Sequence, residues 1–269
     1  MQDKINDAIE KWELDHPEVI YEHPTKGVFS AESGDFGPVI LKIDQCKSQL
    51  EAEYKMLARL TECHYSCKVY GYDGNAGLLL EERILPGTVL RREGSLKKRI
   101  QVFLQVFHEI HMPADSGTTY LNWLEQICEY CVCHQVAEDM ASRAHLFCAE
   151  MFEKYPERVL LHGDLHHDNL LLRTDGSYAM IDPKGVVGPA IMDLPSFILN
   201  ELDTDHACPD RQHIAEVIRL LGEQSGYPTD DIRKLFYMET VLANIWCAED
   251  GEEMNMQQIE LADFLVSHG

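Results

Sequence analysis

The stretch Leu161-His162-Gly163-Asp164-Leu165-His166-His167-Asp168-Asn169 constrains this chain more than any other, together with the three segments after it, Leu170-Leu171-Leu172-Arg173, Thr174-Asp175-Gly176-Ser177 and Tyr178-Ala179-Met180-Ile181. An Asp-Gly pair between two apolar runs marks a tight hairpin, because Gly accepts the positive φ of a two-residue turn. With Asp175-Gly176 as the loop, Thr174 faces Ser177, and counting outward sets Asn169 opposite Asp182. The turn would then return an acidic side chain to the Asn, close to Asp164. Two oxygen ligands and a further carboxylate suit a site that holds Mg2+ and positions a hydroxyl for phosphoryl transfer. An ordinary hairpin after a polar loop, with solvated acids, is the plainer alternative. The agreement of loop, hairpin and second acid argues against it.

Asp164 and Asn169 are five residues apart, the spacing of the H-R-D-x-x-x-x-N loop of protein kinases, with Gly163 where the Arg would be. In protein kinases that Arg commonly answers a phosphorylated activation loop. Its replacement by Gly points to small-molecule kinases of the same fold. Such a site needs an upstream part that holds ATP. Val39-Ile40-Leu41-Lys42 reads as a buried strand ending in a Lys, the counterpart of the V-A-I-K strand. Ser48 to Leu60 carries apolar residues at Leu50, Tyr54, Leu57 and Leu60, a helical period with Ser48 as cap. Glu53 is the expected partner of Lys42, with Glu51 as its competitor on another face of the helix.

Val19 to Glu22, Gly27 to Glu32 and Pro38 to Ile43 read as three strands. Their first connection, His23-Pro24-Thr25-Lys26, is followed by one Gly27 rather than G-x-G-x-x-G, and no G-x-x-x-x-G-K-[ST] loop exists. Walker-type chemistry is thereby excluded. Gly77-Leu78-Leu79-Leu80-Glu81-Glu82-Arg83-Ile84-Leu85-Pro86-Gly87 is an apolar strand that breaks into charge and a turn. In a kinase it would lead into the hinge, whose backbone meets the adenine edge.

These motifs give the chain a resemblance to the aminoglycoside phosphotransferase-like family, in its streptomycin 6-phosphotransferase/hydroxyurea phosphotransferase branch. The residues concerned are Leu79-Leu80-Glu81-Glu82-Arg83 with Pro86-Gly87, the Leu161-to-Asn169 loop, and Ile181-Asp182-Pro183-Lys184-Gly185-Val186-Val187-Gly188. Ile110-His111-Met112-Pro113 resembles the branch's L-H-x-P, and Trp246-Cys247-Ala248-Glu249-Asp250-Gly251 its W-x-x-E-D-G ending. The resemblance implies an α+β, bilobal, protein-kinase-like fold. A small antiparallel sheet lobe with one helix would span 1–81, and a larger helical lobe 82–269. It implies Asp164 as catalytic base, Asn169 and Asp182 as magnesium ligands, and Lys42 with Glu53 ordering the phosphates of ATP or GTP. Glu82 and Ile84 fall at the hinge, and Asp193 with His162 braces the catalytic loop. The expected reaction is phosphorylation of an aminoglycoside such as streptomycin, conferring antibiotic resistance. Hydroxyurea or another small hydroxylated metabolite is the alternative acceptor. Gly188 to Asp193 departs from the branch's G-D-P-x-x-D, on what the resemblance makes the acceptor side, so a changed acceptor preference is open.

Composition agrees. Lys and Arg number 23 against 46 Asp and Glu, a net charge of −23. Such a field repels nucleic acid and anionic membranes and favours a cationic small-molecule partner, although acidity also serves solubility. No apolar run approaches the roughly 18 residues of a membrane span. The polar start suits no signal peptide, and an odd nine Cys indicates reduced thiols in a cytoplasmic setting. A monomer or weak dimer is expected. Cys63-His64 with Cys67, and Cys128, Cys131, Cys133 with His134, invite a metal reading. The second cluster falls on a helical run from Tyr120 to Ala141, where Cys behaves as a small hydrophobe. Further helices are expected at 95–111, 142–155, 194–202, 211–225, 230–249 and 256–268. Glu201, Asp203, Asp205, Glu249 and Asp250 are candidates to receive a cation. A metallohydrolase using His162, Asp164, His166, His167 and Asp168 is the competing class; it leaves Lys42 and Asp182 unexplained.

Overall fold

A computed structural model of the chain describes residues 1–114, 116–202 and 210–268. Contacts divide it into two units, Met1–Arg92 with Asp168–Gly185, and Glu93–His167 with Val186–Gly269. This grouping differs from a single division after residue 81. The cause is a small sheet: Pro86–Val89 pairs with Leu170–Arg173, which pairs in turn with Tyr178–Met180. That pairing keeps residues 86–92 and the Asp175 hairpin with the first unit.

The first unit is built on a five-stranded antiparallel sheet in the order Leu14–Glu22, Lys26–Ser33, Gly37–Asp44, Leu78–Glu82, Val69–Asp73. In Gly37–Asp44, Val39, Leu41 and Ile43 are buried, so the alternation of the strand sends Ile40 and Lys42 to the other face. Each buried aliphatic side chain contributes about 1.5–3 kcal/mol. Three on one face therefore fix the register that aims Lys42. Two helices flank this sheet rather than the single one expected. Lys47–Arg59 carries Glu53, and Gln2–Trp12 packs Ile5 and Ala8 against Leu41, Ile43 and Leu78 in the core. The cap of Lys47–Arg59 is Cys46, without a side-chain hydrogen bond, so Ser48 lies one residue inside the helix and is not its cap.

The hairpin differs from the expected register by one residue. Arg173 N–H donates to Ser177 O at 2.8 Å, and Gly176 N–H donates to Arg173 O at 3.1 Å. The loop is therefore Thr174-Asp175-Gly176, three residues rather than two, with Gly176 at φ 86°. Asp175 closes it by accepting from Ser177 N–H and Oγ–H. Leu170 then faces Met180, and Ile181 N–H donates to Asn169 O at 3.0 Å. Asn169 is thus opposite Ile181, with Asp182 one residue beyond.

The second unit is mostly helical, with a short sheet Val186–Gly188, Val159–Leu161, Met112–Pro113. Leu96–Ile110 starts at Ser95, whose Oγ accepts from Lys98 N–H, and buries Ile100, Phe103, Leu104, Phe107 and Ile110. The expected helix to Ala141 ends instead at His134, because Gln135 and Ala137 take left-handed conformations, and Glu138–Lys154 begins anew. Pro195–Leu199, Arg211–Ser225, Thr229–Glu249 and Met256–His268 complete it. No helix is long and apolar enough to cross a membrane among the described residues.

Gly77 precedes the strand Leu78–Glu82 at φ 70°, and a Cβ there would meet the Asp44 carbonyl oxygen. Gly176 has positive φ with open space around it. Gly77→Ala should cost about 2–3 kcal/mol of stability, against about 1 kcal/mol for Gly176→Ala. Urea unfolding of the two variants side by side checks the difference; equal losses would remove the steric argument.

Candidate active site

Within the first unit, Lys42 is the centre of a crowd of carboxylates. Its ammonium donates to Glu53 Oε1 from the flanking helix and to Asp182 Oδ1 past the hairpin. Glu81 Oε2 lies 3.1 Å away. Glu51 pairs with Lys55 at 2.6 Å instead, which settles the choice between the two helix acids. Burial opposes the charge on Lys42, yet Glu53, Glu81 and Asp182 outweigh it and hold its pKa well above the usual lysine value. Burial pushes Glu53 up, against the pull of Lys42. It also pushes Glu81 up, to about 8. Three acids around one ammonium cannot all be comfortable as anions in a low dielectric.

Beside this cluster is a cavity of about 580 Å3, lined on its apolar side by Val28, Ile40, Ile84, Leu171 and Ile181, and by Lys42, Glu81 and Asp182 at its polar side. That is the size and chemistry of a site for a flat heterocycle with a charged tail. Glu82 also lines it. Its N–H donates to Lys68 O, and its carboxylate is taken by Lys68 N–H and by both terminal nitrogens of Arg173. The sheet ladder ends where Arg83 N–H donates to Pro38 O, leaving Ile84 beyond it. Of the two hinge positions expected from sequence, Ile84 therefore has its backbone outside the ladder, whereas the Glu82 N–H is already engaged.

Asn169 is buried, and Asp182 is 44% exposed with φ 60°. Both belong to the first unit, at the two open ends of one hairpin. An amide oxygen and an exposed carboxylate are hard donors, which fit Mg2+. Asp168, next to Asn169, is fixed by Arg91, with Nε 2.8 Å from Oδ1 and Nη2 2.7 Å from Oδ2.

In the second unit the chain leaves Val159–Leu161 and is seized by Asp193. Its Oδ2 accepts from His162 N–H at 2.9 Å, and its Oδ1 from Gly163 N–H at 2.7 Å. His111 Nε2 donates to Oδ2 at 2.8 Å. Asp164 N–H donates in turn to His162 Nδ1 at 3.2 Å, and Tyr120 O–H donates to Gly163 O. Asp164 is thus held by its backbone while its side chain stays partly exposed, with His166 Nε2 3.4 Å from Oδ1. Asp193 and His162 are both fully buried. His111 was missed as a third member, although His111-Met112-Pro113 was a visible motif.

Glu201 does not wait for a cation. Its side chain is 5% exposed and accepts from Arg99 Nε and Nη2, both at 2.8 Å, from His167 Nε2 at 2.7 Å and from His213 Nε2 at 2.9 Å. Burial works against its charge, but these partners hold its pKa well below the usual carboxylate range. Asp203 and Asp205 lie outside the described residues. Glu249 and Asp250 are exposed. Glu239, missed in the sequence, accepts from Ser196 Oγ at 3.0 Å, and burial, with Asp164 and Asp193 adding to it, pushes it up to about 8.

The altered segment is also placed differently from expectation. Gly188 to Asp193 is buried apart from Ala190, so its side chains fill the core rather than offer an acceptor surface. The metallohydrolase set is dispersed: His162 supports Asp164, His167 is on Glu201, and Asp168 is on Arg91. Among the described residues no three His, Cys, Asp or Glu side chains are grouped as metal ligands. Cys131 sits in a helix core, where burial pushes its thiol up to about 11.

A family model described as aminoglycoside/hydroxyurea antibiotic resistance kinase matches residues 11–251. Streptomycin 3''-kinase from Klebsiella pneumoniae is 23% identical over 256 residues, covering 90% of this chain and 92% of that protein. The crystal structure of choline kinase LicA from Streptococcus pneumoniae superposes with a TM-score of 0.70 at 15% identity, over 99% of this chain and 98% of that one. Aminoglycoside phosphotransferase APH(4)-Ia gives 0.65 at 15% identity, over 100% and 99%. These likenesses show the α+β, protein-kinase-like fold. The chain belongs to the aminoglycoside/hydroxyurea antibiotic resistance kinase family, and it is a phosphotransferase that acts on a small molecule's hydroxyl group.

Proposed function

We propose that the protein transfers the γ-phosphate of ATP to a hydroxyl of an aminoglycoside of the streptomycin kind. The observation that carries this is the ion-paired Lys42 beside an apolar cavity, in a chain whose Asp164 is presented by a clamped loop. A variant of APH(4)-Ia has been crystallised with ADP and hygromycin B, which supports the choice of nucleotide and acceptor class. The adenine would occupy the apolar part of the cavity, with Ile84 past the end of the ladder to meet its edge.

Lys42, held by Glu53, donates to phosphate oxygens. To do so it must give up Asp182, whose carboxylate is then available, with the Asn169 side chain, for Mg2+. When bound, that ion neutralises charge on the β- and γ-oxygens. Asp164 takes the proton of the attacking hydroxyl, while Asp193, His162 and His111 keep its backbone from moving. The net charge of −23 attracts a polycation before any contact forms.

Three outcomes test this. Asp164→Asn should lower kcat about 10³-fold, with ATP affinity unchanged within about twofold, because the lost group serves the hydroxyl. Equal loss of nucleotide binding, measured by calorimetry, would contradict the role. Asp182→Ala should raise the Mg2+ concentration needed for half-maximal rate at least about tenfold, or end turnover. An unchanged Mg2+ titration would count against Asp182 as ligand. For streptomycin, KM should rise with salt as the Debye length shrinks to about 8 Å at physiological ionic strength, while KM for a neutral hydroxylated acceptor stays flat. Turnover of the neutral compound alone would leave a kinase but remove the aminoglycoside.

A further inference from the structure

Glu81 is 2% exposed and lines the cavity with Lys42 and Asp182. In the sheet, Leu79 is the partner of Lys42 and Glu81 the partner of Ile40. Lys42 and Glu81 are therefore diagonal neighbours on one face, within reach for long side chains, and Oε2 stands 3.1 Å from the ammonium. Glu81 Oε1 is buried with no hydrogen-bond partner among the described residues. Burying a carboxyl group with one oxygen unanswered is costly, and an apolar residue would fit the strand Leu78–Glu82 better. A residue that breaks the local rule in this way marks a functional position.

The two acids approach Lys42 from different supports. Glu53 sits on the helix Lys47–Arg59, whereas Glu81 sits on the strand hydrogen-bonded to the one that carries Lys42. A helix can slide on a sheet; two strands of one ladder move together.

We propose that Glu81 is a positioning residue, a sheet-borne anchor that acts alongside Glu53 to hold the Lys42 ammonium in line for the nucleotide phosphates. This rests on the nucleotide reading of the cavity. The contact with Lys42 itself does not, and the experiment separates the two.

Glu81→Leu, Glu53→Gln and the double variant are compared with wild type in two assays, after thermal melts establish that each is folded. One assay measures nucleotide KM and kcat. The other measures, without nucleotide, how fast an amine-directed acylating reagent modifies Lys42, read by peptide mass spectrometry. Glu81→Leu should raise nucleotide KM about fivefold in the wild-type background and about fiftyfold in the Glu53→Gln background, with kcat changed less. Lys42 acylation should quicken in the same order, because each lost acid frees the amine. Glu81→Gln, which keeps an acceptor oxygen at the same reach, should recover most of both effects, and it serves as the test variant if Glu81→Leu does not fold. Unchanged KM and acylation in both backgrounds, or tighter nucleotide binding by Glu81→Leu, would overturn the proposal. Wild-type protein that binds no nucleotide would overturn it too, through the cavity's assignment, and the acylation rates would still report the Lys42–Glu81 contact on its own.

Discussion

The carboxylate of Asp193 holds the catalytic segment in place. It is fully buried, where an unpaired charge would be untenable, and three donors surround it: the N–H groups of His162 and Gly163 and the ring of His111. Removing one partner from a buried charge costs about 3–5 kcal/mol, so the clamp is difficult to open. Its consequence is local and directional. The chain leaving Val159–Leu161 cannot continue as a strand, because its next two N–H groups point at Asp193 rather than at a neighbouring strand. The turn that results carries Asp164 out of the core, and His162 Nδ1 receives the Asp164 N–H. Asp164 is thus placed by its backbone bonds, with His166 Nε2 3.4 Å from its Oδ1.

The first unit solves a different problem. Its pocket is proposed to receive a polyanion, yet the protein carries a charge of −23, and the Lys42 ammonium is surrounded by Glu53, Glu81 and Asp182. These acids keep Lys42 protonated in spite of burial, which is the condition for it to meet phosphates at all. In the proposed reading a divalent cation offsets the negative charge a nucleotide brings, and Asp182, the most exposed of the three acids, would be the one to change partners.

Much of this was legible in the sequence, and the exceptions have physical reasons. The Lys42–Glu53 pair could be read because strand alternation and helical period are strong signals, and Asp193 could be read from its motif. The hairpin register was off by one residue, because Asp-Gly serves both a two-residue turn and the last two places of a three-residue loop. Only the hydrogen bonds of Arg173 tell the two apart. The helix break at Gln135 has no Gly or Pro to announce it; left-handed residues of ordinary type make it. The first helix, Gln2–Trp12, buries only Ile5 and Ala8, too thin a stripe to stand out among polar neighbours. Glu201 looked like a surface acid because its partners, Arg99, His167 and His213, are far apart in sequence. Glu81 was hidden inside an apolar strand, where one charge reads as the strand's end.

The acids that were misread share a pattern with those that were not. The chain passes from one unit to the other between His167 and Asp168, in the middle of the segment that supplies Asp164 and Asn169. Each of these two neighbours is tied within its own unit by hydrogen bonds that involve a carboxylate. His167 is held by Glu201, stacked at 4.1 Å on Phe197, and Asp168 is gripped by Arg91. Charge-assisted bonds are short and directional, so they fix a backbone point more tightly than apolar packing of similar strength. On the second unit's side the segment is held by Asp193 and Glu201, and on the first unit's side by Arg91.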